Sequence, residues 1–185
     1  MSSVATPASA AGPMRPSPHP RSPGRIIRLG YAERMTDQTT PRRAQGALFR
    51  SGTTLADLNA LSPNTAMQTL GIVFTELGAD FVRATMPVDA RTHQPYGLLH
   101  GGASVLLAET LGSSAGMLCL DEGEICVGIE INANHLAAVR EGIVIGTARP
   151  LHVGRSTHVW EIRIEDEAGR LVCVSRLTLA VVRKK

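Results

Sequence analysis

Polar residues in the middle of the chain have the types and spacing needed for acyl transfer. A loop containing Gln94 leads to His100-Gly101-Gly102, and Glu109 follows in an otherwise apolar segment. If Gly101 begins a helix, its backbone N–H has no partner within that helix and could polarise a carbonyl oxygen. A carboxylate is rarely placed among apolar residues unless it is paired or takes part in chemistry. A polarised carbonyl beside a carboxylate is the core of an acyl-transfer site.

Each of these residues also has a purely structural explanation. The two glycines could simply let the backbone turn tightly, and Gln94 alone would be a surface loop residue. Glu109 could be neutralised by an arginine or hydrogen-bonded to Ser113, one helical turn away. The segment Gly112-Ser-Ser-Ala-Gly116 matches the G-x-S-x-G pattern of serine hydrolases, but that motif requires a strand, a sharp turn and then a helix. Because Ser114 lies inside the predicted helix, we reject a serine nucleophile.

The elements that must position these residues follow from the hydrophobic pattern. Residues 101–120 are apolar on almost every side apart from Glu109, which predicts one buried central helix. Residues 124–135 alternate with a period of two, which predicts a strand with one buried face. That face carries Ile125, Val127, Ile129, Ile131 and Ala133. A short helix at 54–61 and a hairpin at 71–86 precede the central helix, and further strands are predicted at 142–148, 159–165 and 170–182.

Strands that follow one another without intervening helices form antiparallel sheets. One long apolar helix and one antiparallel sheet therefore predict an α+β domain in which a curved sheet wraps around the central helix. The pattern contains no dinucleotide-binding or phosphate-binding loop and no metal-ligand spacing, so we predict neither a cofactor nor a metal.

Residues 1–45 are rich in Ser, Pro, Ala and Arg and show no hydrophobic periodicity. We therefore predict a disordered leader over 1–45 ahead of a single domain at 46–183. The formal net charge is +3, but residues 1–34 contain five arginines and one glutamate, which leaves 14 basic and 15 acidic residues in the remainder. A nearly neutral domain predicts no nucleic-acid partner and no membrane partner.

The segment before Glu33 contains four arginines and no acid, which is also the composition of an organellar transit peptide, although an amphipathic apolar face is lacking. Met35 is an alternative start of the chain. In either case we predict that residues 1–34 are dispensable for activity, because nothing in them can pack against a core. Steady-state kinetics of a chain beginning at Met35 would check this, and a folded truncation with little activity would contradict it.

Cys119, Cys126 and Cys173 lack CxxC spacing, and each lies in an apolar segment, which indicates reduced core residues of a cytoplasmic protein. A nucleophilic Cys119 paired with a histidine is the less favoured alternative. The apolar run at 98–120 has membrane-spanning length, but an ionised Glu109 at mid-membrane would be costly, so we reject that interpretation.

Ordered motifs recur in four segments of the chain. They are Gln94-Pro-Tyr-Gly-Leu-Leu-His-Gly-Gly-Ala-Ser104, Glu109 with Ser113, Gly128-Ile-Glu-Ile-Asn-Ala-Asn-His135, and Pro150-Leu-His-Val-Gly154 with Val159-Trp160. Over residues 47–182 these motifs resemble the hotdog-fold acyl-CoA thioesterases. The nearest likeness is to the branch containing 1,4-dihydroxy-2-naphthoyl-CoA hydrolase, a menaquinone-biosynthesis enzyme. Phenylacetate-pathway and 4-hydroxybenzoyl-CoA thioesterases are wider relatives.

The resemblance implies a role for each motif. The Gly101 N–H would polarise the thioester carbonyl in a pocket shaped by His100 and Gln94. Glu109 would be the nucleophile or the general base for water, and Ser113 would assist the water or the leaving thiolate. The acyl-CoA would lie across the following residues: Gly128, His135, Leu136, Ala137, Ala138, His152, Val153, Gly154, Arg155, Ser156 and Thr157.

Two functions from different classes remain open at this point. One is hydrolysis of an acyl-CoA thioester, with an aryl group favoured and a medium-chain acyl group as the alternative. The other is a non-catalytic acyl-CoA-binding or regulatory role, which the presence of Glu109 disfavours. A dehydratase on the same fold would also use a histidine and an acid.

The spacing of His100 and Glu109 bears on oligomeric state. Nine residues of helix place them about 13 Å apart along the axis and on opposite faces. One chain cannot easily aim both at one carbonyl, so we predict a two-fold homodimer with antiparallel helices and shared active sites. Members of the resembled family often pair dimers into tetramers, and we expect a homotetramer here.

Overall fold

The computed structural model of the protein describes residues 48–49 and 52–183. The predicted disordered leader at 1–45 lies outside these residues, and the start of the domain predicted at residue 46 remains a proposal. Within the described part of the chain, no helix is long and apolar enough to cross a membrane.

Three helices and six strands make up the described residues. In chain order they are α1 (Leu55–Asn59), α2 (Ala66–Leu70), β1 (Val73–Leu77), β2 (Val82–Pro87), α3 (Gly101–Met117), β3 (Glu124–His135), β4 (Ile143–Val153), β5 (Thr157–Asp166) and β6 (Leu171–Arg183). Thr54 caps α1 through a reciprocal capping box with Asp57, as the predicted short helix requires.

The six strands form one sheet in the order β1-β2-β4-β5-β6-β3, and every neighbouring pair is antiparallel. The sheet does not close, so β1 and β3 are edge strands. α3 contacts five of the six strands. The predicted hotdog arrangement, a central helix with an antiparallel sheet around it, is confirmed.

α3 buries only one of its faces. The buried residues are Ala103, Ser104, Leu107, Ala108, Leu111, Gly112, Ala115 and Gly116. A Cβ atom at Gly112 would lie 2.5 Å from Leu177 Cδ2, so a glycine here lets the helix approach β6 closely. The prediction that the whole helix is buried was wrong, because an open sheet covers one side of the helix and leaves the face that carries Glu109 half-exposed.

The predicted alternation in β3 holds for only part of the strand. Ile131 and Ala133 pack against the core as expected. Ile125, Val127 and Ile129 are instead 40, 44 and 62% exposed. The cause is a register shift between Gly128 and Glu130 against β6, because one extra residue in a strand reverses the faces that follow it.

Helix α2 was not predicted, because Met67 and Leu70 alone are too few to display a helical period, whereas Leu55, Leu58 and Leu61 mark α1. Residues in the left-handed region bracket it: Asn64 has φ of 61° and Gly71 has φ of 70°. The Asn64 N–H donates to Gln68 Oε1 at 2.7 Å, and Ile72 N–H donates to Met67 O at 2.9 Å. Met67 and Leu70 pack against the core, which fixes this short helix beside α3.

Candidate active site

His100 is the N-cap of α3, and its side chain takes part in the cap. Its Nδ1 accepts a hydrogen bond from the Gly102 N–H at 2.8 Å. A backbone N–H can only donate, so Nδ1 carries no proton in this arrangement, and the ring proton of the neutral imidazole lies on Nε2. His100 therefore presents an exposed N–H donor beside the start of the helix.

The first turn of α3 leaves one backbone donor unused. The N–H groups of Ala103 and Ser104 both donate to His100 O, at 3.0 and 3.2 Å, and that of Gly102 is taken by the His100 ring. Among the described residues no acceptor faces the Gly101 N–H, and helix geometry gives it none within α3. This is the donor expected to polarise a carbonyl.

The ring of His135, at the end of β3, lies against Gly101. A Cβ atom at Gly101 would be 2.8 Å from His135 Nε2, so a larger residue would push the ring away. The structure therefore brings together His135 and Gly101, two predicted site residues that are distant in the sequence.

The loop that carries Gln94 is held in place by backbone hydrogen bonds. Gln94 N–H donates to Leu98 O at 2.8 Å, and Leu99 N–H donates to Val139 O at 2.8 Å. The side-chain Oε1 of Gln94 accepts from the Tyr96 N–H at 3.0 Å. With Oε1 engaged, the amide NH₂ group has no acceptor among the described residues and is available to a ligand.

Glu109 lies half-buried on the open face of α3, facing β3. Burial raises the pKa of its carboxyl group. Within residues 48–49 and 52–183 no arginine pairs with this carboxylate, and Ser113 does not donate to it. Both structural explanations for Glu109 therefore fail in the described part of the chain. A half-buried carboxylate with a raised pKa and no partner is suited to act as a base or nucleophile near neutral pH.

Glu109 faces a groove of about 560 Å³ between α3 and the start of α2. Its lining is apolar near Met67, Val105 and Leu106, and it carries hydroxyl groups further along α3. The remaining lining residues are Thr65, Ala66, Gly102, Thr110, Ser113 and Ser114. None of the described residues that line the groove is basic, so its chemistry suits an uncharged acyl group better than a phosphate.

The segment at 135–138, predicted to contact CoA, lies at the Gly101 end of α3. The N–H groups of Leu136 and Ala137 both donate to Val172 O, at 2.8 and 3.3 Å, and Ala138 O accepts from Arg170 Nη2 at 3.0 Å. These backbone groups terminate β3. Two of the backbone amides that were expected to bind a phosphate of CoA therefore already donate hydrogen bonds within the chain.

The segment at 152–157, predicted to contact CoA, lies between the strands predicted at 142–148 and 159–165, and both strands extend into it. His152 and Val153 belong to β4, Thr157 belongs to β5, and Gly154, Arg155 and Ser156 form the connection. Gly154 N–H donates to Thr157 O at 2.9 Å, which makes the hairpin tight. Arg155 is exposed at its tip, where it can meet solvent or an anion.

Within one chain, the predicted site residues lie in two separate groups along α3. His100, Gly101 and the segment at 135–138 lie at the start of α3. Glu109, Ser113 and Gly128 lie further along, since eight residues of helix separate Gly101 from Glu109 by about 12 Å. The hairpin at 152–157 lies on the side of the second group, because Thr157 pairs with Ala180 while Gly128 pairs with the adjacent Leu179.

The sequence patterns missed part of the groove. Val105 and Leu106 are four and three residues before Glu109, so helical periodicity alone places them beside the carboxylate. No comparable signal marked Ala66 or Met67, because α2 itself was not foreseen. Across the described residues no cluster of His, Cys, Asp and Glu side chains could hold a metal ion.

Comparison with known proteins identifies relatives over most of the domain. A family model described as "Thioesterase superfamily" matches residues 96–173. The proofreading thioesterase EntH of Cronobacter sakazakii is 55% identical over 135 residues, which are 73% of this chain and 98% of that protein. A solved thioesterase from Haemophilus influenzae is 54% identical with a TM-score of 0.72, and the match covers 74% of this chain and 95% of the other.

Two structures of a protein from Staphylococcus aureus are 37% identical to the chain, with TM-scores of 0.62 and 0.60. The matches cover 64 and 62% of this chain and 99 and 96% of the other. One is a variant in which alanine replaces a glutamate, and in the other alanine replaces a glutamine. The two substituted positions are separated by the same number of residues as Gln94 and Glu109 are here.

Proposed function

The chain belongs to the thioesterase superfamily and is a thioester hydrolase, and from that premise we propose that it hydrolyses an aryl-CoA thioester to the free acid and CoA. The observation that carries the proposal is the half-buried Glu109 carboxylate, without a partner in the described chain, at the wall of a groove whose described lining is otherwise uncharged. We further propose 1,4-dihydroxy-2-naphthoyl-CoA as an example of such a substrate, and this choice rests on the sequence motifs alone.

In the proposed reaction the thioester carbonyl oxygen accepts hydrogen bonds from the Gly101 N–H and the Gln94 amide. These donors stabilise the negative charge that develops on oxygen. Glu109 either removes a proton from the attacking water or attacks the carbonyl carbon itself to give an anhydride that water then hydrolyses. In both routes the acyl–sulfur bond breaks, CoA leaves as the thiolate and takes up a proton, and Ser113 would assist the water or the thiolate.

We propose that the active sites are shared across a two-fold homodimer. The separation of Gly101 from Glu109 along α3 supports this, because antiparallel helices would bring the Glu109 of one subunit to the Gly101 end of the other. Ile125, Val127 and Ile129 are exposed on the edge strand β3, and an apolar edge strand is typical of a surface that pairs with another chain. A homotetramer of two such dimers is the corresponding proposal for the full assembly.

The S. aureus variants support a joint role for a glutamine and a glutamate at this spacing. Those proteins were altered at one residue of each type, and the separation matches that of Gln94 and Glu109. In the present chain Gln94 lies in the loop before α3, whereas Glu109 lies further along that helix. A site built from two subunits would bring the Gln94 and Glu109 side chains together.

The name of the C. sakazakii relative favours a second candidate, hydrolysis of incorrectly formed thioesters. A proofreading enzyme should accept several acyl groups with similar kcat/KM values. An enzyme dedicated to one aryl-CoA should prefer it by about 100-fold or more, a ratio that a complementary pocket can reach.

A panel of aryl-CoA and fatty acyl-CoA thioesters, with released CoA measured by a thiol reagent, tests these proposals together. Release of thiol from aryl substrates supports aryl-CoA hydrolysis, and the spread of kcat/KM separates the dedicated from the proofreading role. Preference for medium-chain fatty acyl-CoA would overturn the aryl assignment. Binding of acyl-CoA without release of thiol would identify a binding protein instead.

We predict that Met67 limits the size of the acyl group. Its side chain lines the groove opposite Val105 and Leu106, so Met67→Ala should raise kcat/KM for a bulky aryl-CoA relative to a small one by about 10-fold. Met67→Leu, which nearly conserves volume, is the matched control and should leave the ratio near that of the wild type. An unchanged ratio in a folded Met67→Ala protein would show that the acyl group lies elsewhere.

A further inference from the structure

We infer that Gly128 is a positioning residue that seats the Glu109 carboxylate against the backbone of β3. This role differs from the CoA contact that the family resemblance implied for Gly128. It rests on the proposed function, because it acts through Glu109.

The space beside Gly128 is filled by one side chain. The three heavy atoms nearest to an ideal Cβ at this position all belong to Glu109: Oε1, which the Cβ would overlap, Cδ at 3.3 Å and Oε2 at 3.7 Å. The carboxylate therefore lies against the Cα of Gly128. Any side chain at this position would displace the carboxylate.

Backbone conformation does not require a glycine at this position. Seven described glycines or asparagines adopt positive φ, and Gly128 is not among them. Its backbone lies in a region open to every L-amino acid, and it is paired with Leu179 in the sheet. The missing side chain at residue 128 is therefore explained by the neighbouring carboxylate.

The bulge after Gly128 keeps a second carboxylate away from Glu109. In a regular strand, residues 126, 128 and 130 would all face α3, and Glu130 would lie beside Glu109. The register shift instead turns Glu130 outward, where it accepts hydrogen bonds from Asn132 Nδ2 at 3.2 Å and Thr178 Oγ1 at 3.5 Å. A like charge next to the reacting carboxylate is thereby avoided.

The first test is Gly128→Ala, with kcat and KM measured separately. Displacing the Glu109 carboxylate should lower kcat by about 10-fold or more and change KM by less than about 2-fold, because the reacting group moves while substrate contacts remain. Gly146→Ala is the matched control for packing strain, since its added methyl group beneath α3 would collide with Leu111 about as closely as that of Gly128→Ala would with Glu109; the comparison uses the folded Gly146→Ala protein. Its kcat should remain within about 2-fold of the wild type.

The second test is rescue by a shorter acid. Asp is one methylene shorter than Glu and should clear the added Cβ, so Gly128→Ala combined with Glu109→Asp should be at least as active as Glu109→Asp alone. If Gly128→Ala alone does not fold, this double variant should still fold. A double variant that is about 10-fold less active than Glu109→Asp, or that also fails to fold, would overturn the inference.

Two further outcomes separate this inference from the proposed function. A raised KM with unchanged kcat in Gly128→Ala would assign Gly128 to CoA binding and overturn the positioning role. That result would leave the function of Glu109 intact. Full activity in Glu109→Gln would instead overturn the proposed mechanism itself.

Discussion

Glu109→Gln is expected to lower kcat by at least about 100-fold while the protein still folds. The substitution removes the group that would attack the carbonyl or activate water, and it preserves the volume of the side chain. Glu109 makes no ion pair or hydrogen bond within the described residues, so little structural stabilisation is lost. Turnover of the preferred thioester and thermal unfolding should be measured on the same preparation.

Glu122→Gln is a suitable control for this prediction, because it makes the same chemical change at an exposed turn between α3 and β3. It should leave kcat unaltered. A Glu109→Gln protein that retains most of its activity would end the proposed mechanism. In a protein that only binds acyl-CoA, neither substitution would change the dissociation constant appreciably.

The pH profile gives an independent check on Glu109. The reaction requires the ionised carboxylate, and burial raises its pKa, so activity should fall with decreasing pH at a higher value than for an ordinary glutamate. The residual activity of Glu109→Gln should lack this acid limb. If activity of the variant fell at the same acidic pH as that of the wild type, the ionisation responsible would belong to another group.

Mixing two inactive variants should restore about a quarter of wild-type activity if the sites are shared. Glu109→Gln and Gln94→Ala chains refolded together in equal amounts would form mixed dimers about half of the time. In each mixed dimer, one site would receive both substitutions and the other neither. About a quarter of all sites would then be intact, and their activity would far exceed that of either parent.

The control must show that mixed dimers form. If only one variant carries an affinity tag, capture of the untagged variant with it demonstrates exchange of chains. Recovery near a quarter of wild-type activity would support a site built from both subunits. No recovery despite demonstrated exchange would place Gln94 and Glu109 in the same site of one chain. Each variant refolded alone provides the baseline.

The elements that were predictable from sequence are those with a long, uninterrupted period. The apolar run after His100 indicated α3, and the alternating segments indicated the strands, because each pattern repeats over several turns or residue pairs. The isolated carboxylate at Glu109 stood out for the same reason, as an exception to a strong pattern. The sequence could not predict that Glu109 lies on a half-exposed face. An apolar helix face has the same sequence pattern whether a sheet, a ligand or another chain covers it.

The unpredicted features depend on contacts between distant segments. The shift after Gly128 inserts a single residue into β3, and composition does not distinguish such a residue from its neighbours. The contact of His135 with Gly101 requires β3 and α3 to pack in a particular register. The cap formed by His100 is a local interaction, but histidine is not among the residues that usually signal an N-cap.

The unequal faces of α3 have a consequence for how this protein could change over time. On one face, Gly112 and Gly116 sit so close to β6 that even a methyl group would collide with Leu177 or Leu179. On the other face, residues such as Val105, Thr110 and Ser114 are only half-buried and border an open groove. Substitutions at groove-lining residues other than the catalytic ones can reshape substrate preference at a smaller penalty to the packing of the chain, so one helix combines a sterically constrained face with a more tolerant one.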